Sequence, residues 1–149
     1  KHSTNGALNI FDRSWYGRVL VERVEDLINP IEWQNAYEEI NQYEKQLSDT
    51  NTIVIKFWLA ISKDEQLRRF YMRKNTPQKN FKLTEDDWRN REKWDAYLQA
   101  ASDMFKYTST DISPWYIIAN DSKYAARIEI LQTILHSVQN KNLAHLENL

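Results

Sequence analysis

Apolar positions follow two periods along the chain, and the changes between them mark out the elements. "ALNIF" (7–11) is a short apolar run and predicts a buried strand. "TIVIKFWLAI" (52–61), β-branched and aromatic, predicts a second strand, and "PWYIIA" (114–119), opened by Pro114, a third. Elsewhere the spacing is three to four. In "IEWQNAYEEINQYEKQL" (31–47) it places Trp33, Ala36, Tyr37, Ile40, Tyr43 and Leu47 on one helical face. Ser62 followed by Glu65 reads as a capping box opening a second helix, "EQLRRFYMRK". A third helix opens near Thr84 with the acidic first turn "EDD". Its stripe is Trp88, the aliphatic part of Arg91, Trp94, Leu98, Ala101 and Phe105. A last helix from about Ser122 carries Ala125, Ile128, Leu131, Ile134, Leu135 and Val138, and "NKNLAHLENL" after it is polar enough to fray.

Strands alternating with helices predict an α/β fold with a parallel sheet and flanking helices. Three strands is few, because parallel strands are normally covered on both faces and flanked on both sides. The pattern therefore describes an incomplete sheet.

Composition narrows the chemistry. The chain has 149 residues, enough for one domain with a real core, and 42% of them are hydrophobic. A net charge of −1 predicts no whole-protein attraction to nucleic acid or to an anionic membrane. With no cysteine, disulfide frameworks and thiolate metal sites are excluded. No apolar run approaches the roughly 18 residues of a membrane span, and a cytoplasmic location is expected. Glycine is scarce: only Gly6 and Gly17 occur, against about 10 from the usual ~7%. Neither G-x-x-x-x-G-K-[ST] nor G-x-G-x-x-G is present, so a main phosphate cradle is absent from the chain.

Three places could carry chemistry. Asp12 follows the first predicted strand, where α/β sheets bind ligands and where a carboxylate can hold Mg²⁺ together with substrate phosphates. It could equally cap a turn or pair with Arg13. Arg13, Arg18 and Arg23 follow at intervals of five, and a helix over 16–25 would pair Arg18 with Glu22 at i,i+4. Second, "RRFYMRKNTPQKNFK" (68–82) holds Arg68, Arg69, Arg73, Lys74, Lys79 and Lys82 and no acidic residue. That is an anion-binding loop in the position of a closing lid, or a solvated basic face opposite the "EDD". Third, Asn120 and Asp121 end the last strand ahead of Lys123 and Arg127, either as a helix cap or as a ligand contact. The histidines show no ligand spacing. Trp33, Trp58, Trp88 and Trp94 read as core, whereas Trp15 and Trp115 lie beside the strand-end motifs, where they could pack under a ligand.

"FDRSWYGRVLVERVE" resembles the Walker B region of the family-2 polyphosphate kinases. "EWQNAYEEINQYEKQL", "IKFWLAISKDEQLRRFYMRKNTPQKNFKLTEDDWRNREKWDAYLQAASDM" and "TSTDISPWYIIANDSKYAARIEIL" are similar to that family's later segments, in order, over residues 7 to 138. "FDRSWY" with "TEDDWRNREKW" is nearest the branch that phosphorylates AMP from polyphosphate. The resemblance implies a P-loop-kinase-like parallel sheet with a helical lid over about 62–105. It also implies Mg²⁺-dependent phosphoryl transfer from inorganic polyphosphate to a nucleotide, with AMP giving ADP.

By position, the resemblance gives Asp12 the metal and the activation of the acceptor phosphate, and Glu22 a place near the acceptor and its metal. Arg13 and Arg18 match phosphate-contacting arginines, with Arg13 counted beside Asp12 and Glu22 in catalysis. Arg69, Arg73, Lys79 and Lys82 fall in the lid, against polyphosphate. Asn120 and Asp121 lie towards the nucleotide. The family's Walker A strand and loop precede the segment matched here, so residues 1–140 are expected to form a C-terminal portion of the family domain, inactive alone, with 141–149 a polar tail. A sheet left open in this way predicts a homo-oligomer. Two other functions stay open: an ATP-dependent nucleoside monophosphate kinase, and a non-catalytic domain for polyanion binding or assembly.

Overall fold

The computed structural model describes residues 6–78, 81 and 83–146. A 3₁₀ turn, Trp15–Gly17, runs directly into a π-helical turn, Arg18–Glu22. The order after these entry turns is α1 (Pro30–Asp49), β1 (Lys56–Ala60), α2 (Lys63–Lys74), α3 (Glu85–Glu92), α4 (Trp94–Thr108), β2 (Trp115–Ala119) and α5 (Lys123–Leu146).

Helix α1 starts where local chemistry dictates. Asn29 accepts from the Glu32 amide at 3.1 Å, the Glu32 carboxylate accepts from the Asn29 amide at 3.0 Å, and Pro30 takes the first helical position. The helix buries Ala36, Tyr37, Ile40 and Glu44, largely the face its periodicity marks. Strands β1 and β2 pair in parallel, with Lys56 opposite Trp115 through Ala60 opposite Ala119. The crossover between them carries α2, α3 and α4. The main core lies between the entry turns, α1 and α4, where Tyr16, Val19, Ala36, Tyr37, Ile40 and Met104 are buried. Trp15, Leu20, Trp33, Trp58, Phe105 and Trp115 pack around them.

A buried charge pair sits at one end of this core. Lys56 donates to Glu44 Oε2 at 2.7 Å, to the Thr108 carbonyl at 2.7 Å and to the Tyr16 hydroxyl at 3.0 Å. All three ammonium protons therefore have acceptors, which a buried cation requires. Burial still pulls the Lys56 ammonium below its usual pKa, partly offset by Glu44. It pushes the Tyr16 phenol well up, as does the neighbouring carboxylate.

Several expected features differ. Residues 7–11 form no strand, and Leu8 and Ile10 are 75% and 85% exposed. A strand needs a neighbour for its ladder hydrogen bonds, and β1 and β2 pair only with each other among the described strands. The third predicted helix is two, α3 and α4, broken at Lys93; Leu98 turns outward, and Ala100, Ala101, Met104 and Thr108 are the buried set of α4. Among the described residues of α5 the buried one is Ala126, while the expected stripe is exposed at Ala125, Ile128, Leu131, Leu135 and Val138 and half-buried at Ile134. Helix α5 also continues to Leu146, through most of the expected tail. Trp15 and Trp115 are partly buried and pack against the main core.

Met104, with no exposed surface at the centre of the core, gives a direct check. Met104→Ala is expected to cost about 2–5 kcal/mol of unfolding free energy, read from a urea titration. A change within a few tenths would contradict this placement of the core.

Candidate functional site

Asp12 and Arg13 form a bend between the extended segment and the entry turns, and both are exposed. Arg13 has φ 59°, the left-handed region that non-glycine residues rarely occupy. Neither side chain makes a hydrogen bond or an ion pair among the described residues. Their position is set by what flanks them. Phe11 meets Trp15 edge to face at 5.7 Å, and the Gly17 amide donates to the Ser14 carbonyl at 3.3 Å. Arg13 also lies within electrostatic reach of Tyr97 on α4.

The π-helical turn changes the expected pairing. It brings residue i+5 over residue i, so Glu22 stands against Gly17: a β-carbon at position 17 would lie 3.3 Å from Glu22 Oε1. Arg18 does not pair with Glu22. It reaches Glu39 at 3.4 Å across solvent, a contact worth little and easily exchanged for another anion. Arg23 turns inward to Asp103 at 2.8 Å and the Tyr37 hydroxyl at 3.0 Å, stacked 4.1 Å above Trp33. Its role is to join the entry turns to α1 and α4.

A second cluster forms at the carboxyl ends of the strands. Arg69 donates to Glu65 Oε1 at 2.7 Å, to the Asn120 carbonyl, and to the Asp121 carbonyl at 3.4 Å. The Asp121 carboxylate accepts from the Ser62 amide at 3.2 Å. The expected capping box is therefore half made: Ser62 Oγ accepts from the Glu65 amide at 3.1 Å, while the Glu65 carboxylate serves the arginines. Arg68 and Arg69 thus share a counter-charge three residues upstream of the basic run. The structure brings Arg69, Asn120 and Asp121 together as a clamp between the β1–α2 and β2–α5 connections. Arg73 lies 6.0 Å from the Phe70 ring, with no carboxylate partner among the described residues. Lys79 and Lys82 fall outside the described residues.

Helices α2 and α3 fold onto each other through Trp88 against Phe70 at 5.1 Å and Arg91 on the Lys63 carbonyl at 2.5 Å. Sequence reasoning missed Glu25, which holds the α3–α4 break to the end of the entry turns. It meets Lys93 at 2.9 Å, Arg89 at 3.4 Å and the Tyr97 hydroxyl at 3.5 Å. The Lys93 hydrogen bond holds its carboxyl below the usual range. Glu44 was missed too, although it stands seven residues past Tyr37 on the apolar face of α1.

With this geometry in place, the comparisons with known proteins decide the family. The model of the polyphosphate kinase 2 family matches residues 1–145. The chain belongs to the polyphosphate kinase 2 family. It is 60% identical over 132 residues to a polyphosphate:AMP phosphotransferase of Acinetobacter johnsonii, covering 89% of this chain and 28% of that protein. The corresponding protein of Pseudomonas aeruginosa is 53% identical over 130 residues, with 87% and 26% covered. The crystal structure of a polyphosphate kinase 2 from Arthrobacter aurescens superposes with a TM-score of 0.84 at 38% identity, covering 87% of this chain and 46% of that one. The chain spans about a quarter of the length of these two curated relatives. The α/β fold with a small parallel sheet is therefore the family's own.

Glu65 gives a prediction in pH. Hydrogen bonds from Arg68 and then Arg69 lower its carboxyl from 4.5 to about 2. A folded-state value below the unfolded one stabilises above about pH 4.5 and is lost as pH falls towards 2. Glu65→Gln should therefore lower stability at pH 6 and flatten its decline between pH 4.5 and 2, followed by thermal unfolding. A parallel decline in both proteins would contradict the Arg68–Glu65–Arg69 cluster.

Proposed function

We propose that the full-length protein transfers a phosphoryl group from inorganic polyphosphate to a nucleotide, with AMP as acceptor and ADP as product. The observation that carries this reading is the Asp12–Arg13 bend: a carboxylate and a guanidinium, exposed side by side, neither engaged in a side-chain hydrogen bond or ion pair among the described residues. Arg13 and Arg18 bind phosphate oxygens as planar two-pronged donors. An acceptor phosphate oxygen attacks the terminal phosphorus of the chain, the new P–O bond forms as the bridging P–O bond breaks, and polyphosphate leaves one unit shorter.

Magnesium is the implied cofactor, and the donor set fits it. No group of three His, Asp or Glu that could form an all-protein cage gathers among the described residues. Mg²⁺ instead commonly takes one or two carboxylates and completes its shell with water and substrate phosphates. Asp12 and Glu22 would supply those carboxylates. When bound, the metal neutralises charge developing on the phosphates.

Residues 62–105 serve as the lid in this reading. The hairpin of α2 and α3, latched by Glu25 at the α3–α4 break, would bring Arg73, Lys79 and Lys82 to polyphosphate. Arg69 supports it from the strand-end clamp, with Asn120 and Asp121 towards the nucleotide. Self-association through the exposed α5 stripe, and a cytoplasmic location where AMP and polyphosphate are both available, belong to the same proposal. No described helix is long and apolar enough to cross a membrane. The chain contains no glycine-rich phosphate loop, so by itself it is expected to bind polyphosphate without turnover.

The test is ADP formation by the full-length protein from AMP, Mg²⁺ and long-chain polyphosphate, with ATP as the competing donor. ADP from polyphosphate and none from ATP supports the reading. ATP use alone gives a nucleoside monophosphate kinase, and polyphosphate binding without transfer gives a binding domain. Asp12→Asn is expected to lower turnover about 100- to 1,000-fold with the circular dichroism spectrum unchanged. Near-normal turnover would remove Asp12 from the site.

A further inference from the structure

Glu44 and Lys56 are 1% and 5% exposed, and neither has a place in the phosphate chemistry above. The pair is nevertheless wired to the segment that carries it. Glu44 Oε1 accepts from the Tyr16 hydroxyl at 2.7 Å and from Trp15 Nε1 at 3.2 Å. Lys56 donates to the same Tyr16 hydroxyl at 3.0 Å. Its ammonium also lies 5.5 Å from the Tyr16 ring and 5.4 Å from the Trp115 ring. Thr108 closes the far side: its carbonyl accepts from Lys56 and its hydroxyl accepts from Trp115 Nε1 at 2.9 Å. Two residues distant in sequence, on α1 and β1, thus grip the consecutive side chains Trp15 and Tyr16.

The consequence follows from what the bend lacks. Asp12 and Arg13 make no side-chain hydrogen bond or ion pair among the described residues, and Arg13 sits in a costly backbone conformation. Such a bend keeps one shape only if its flanks are fixed. Trp15 fixes the downstream flank through Glu44 and Tyr43, whose ring it meets at 5.1 Å, and fixes the upstream flank by stacking with Phe11. An apolar pair at 44 and 56 could fill the space but would leave the indole N–H and the phenol without acceptors.

We propose that Glu44 and Lys56 are positioning residues: the buried pair clamps Trp15 and Tyr16 and thereby fixes the bend that presents Asp12 and Arg13. The proposal rests on the reading of that bend as the phosphate and metal site.

The experiment compares wild type with Glu44→Gln, Lys56→Met and the double variant Glu44→Leu/Lys56→Met in the full-length protein. Thermal stability, kcat and KM, and amide hydrogen exchange over residues 9–17 are measured for each. Both single variants are expected to lose stability. The double variant removes both charges together and should regain much of it, since an apolar pair often replaces a buried ion pair well. Its kcat should still be about 100-fold low, the scale of a 1 Å misplacement, with KM for AMP changed less than about threefold. Exchange at 12–16 should stay at least about tenfold faster than in wild type. A double variant that regains kcat together with stability overturns the proposal, as does exchange at 12–16 that matches wild type. If neither charge variant folds, Tyr16→Phe carries the test: it removes one hydroxyl and should still speed exchange at 12–16, and unchanged exchange there overturns the proposal. Wild type that makes no ADP would count against the functional reading alone, because the exchange measurement decides the clamp without it.

Discussion

The Lys56–Glu44 ion pair is the constraint on which the rest of the structure depends. Burying two opposite charges is costly, and such a pair survives only when every proton and lone pair is matched. Here the matching groups come from four elements: the 3₁₀ turn through Trp15 and Tyr16, α1 through Glu44, β1 through Lys56, and the end of α4 through Thr108. Removing one partner alone would strand a charge at a cost of about 3–5 kcal/mol. The pair thereby selects a single arrangement of those elements, which apolar packing specifies less sharply. A two-stranded sheet with an exposed extended segment before it has few other means of fixing that arrangement.

Two further charge clusters repeat the theme at longer range. Arg23, set among Asp103, Tyr37 and Trp33, ties the entry turns to α1 and α4. Glu25, set among Lys93, Arg89 and Tyr97, ties their end to the α3–α4 break. The arginines and glutamates that crowd residues 13–25 thus divide by direction. Arg13 and Arg18 face solvent, while Arg23 and Glu25 turn to the protein. Spacing of five on a helix does not separate these roles, because the turn at 18–22 is π-helical and shifts every later side chain.

Much of the fold was legible in the sequence wherever a period was long and its cap clear. Helix α1 has both, with Asn29, Pro30 and Glu32 at its start, and β1 and β2 lie inside their apolar runs. Residues 7–11 misled because an apolar run signals a strand only when a neighbour exists to pair with it. The stripe of α5 misled in the same way: it is genuine amphipathicity that no described element covers. Position 44 carried a visible signal, a glutamate on an apolar helical face, answered by Lys56 inside an apolar strand. Two opposite charges in two buried stretches are a reason to look for a pair. Of the candidate site, Asp12 was expected at the end of a buried strand, and it lies instead in an exposed bend that follows no strand. The Arg69 clamp was not legible, since it depends on backbone carbonyls of Asn120 and Asp121 that no side-chain pattern reports.

In the proposed reading, the family's polyphosphate chemistry and the clamp on Trp15 and Tyr16 meet at one place, the bend of Asp12 and Arg13. The most direct measurement is a crystal structure of the full-length protein with AMP, Mg²⁺ and a non-hydrolysable polyphosphate analogue. The account predicts Asp12 at the metal and the Arg13 and Arg18 guanidiniums about 3 Å from phosphate oxygens, with Trp15 and Tyr16 still held by Glu44. Phosphates seated elsewhere, with the bend facing open solvent, would contradict it.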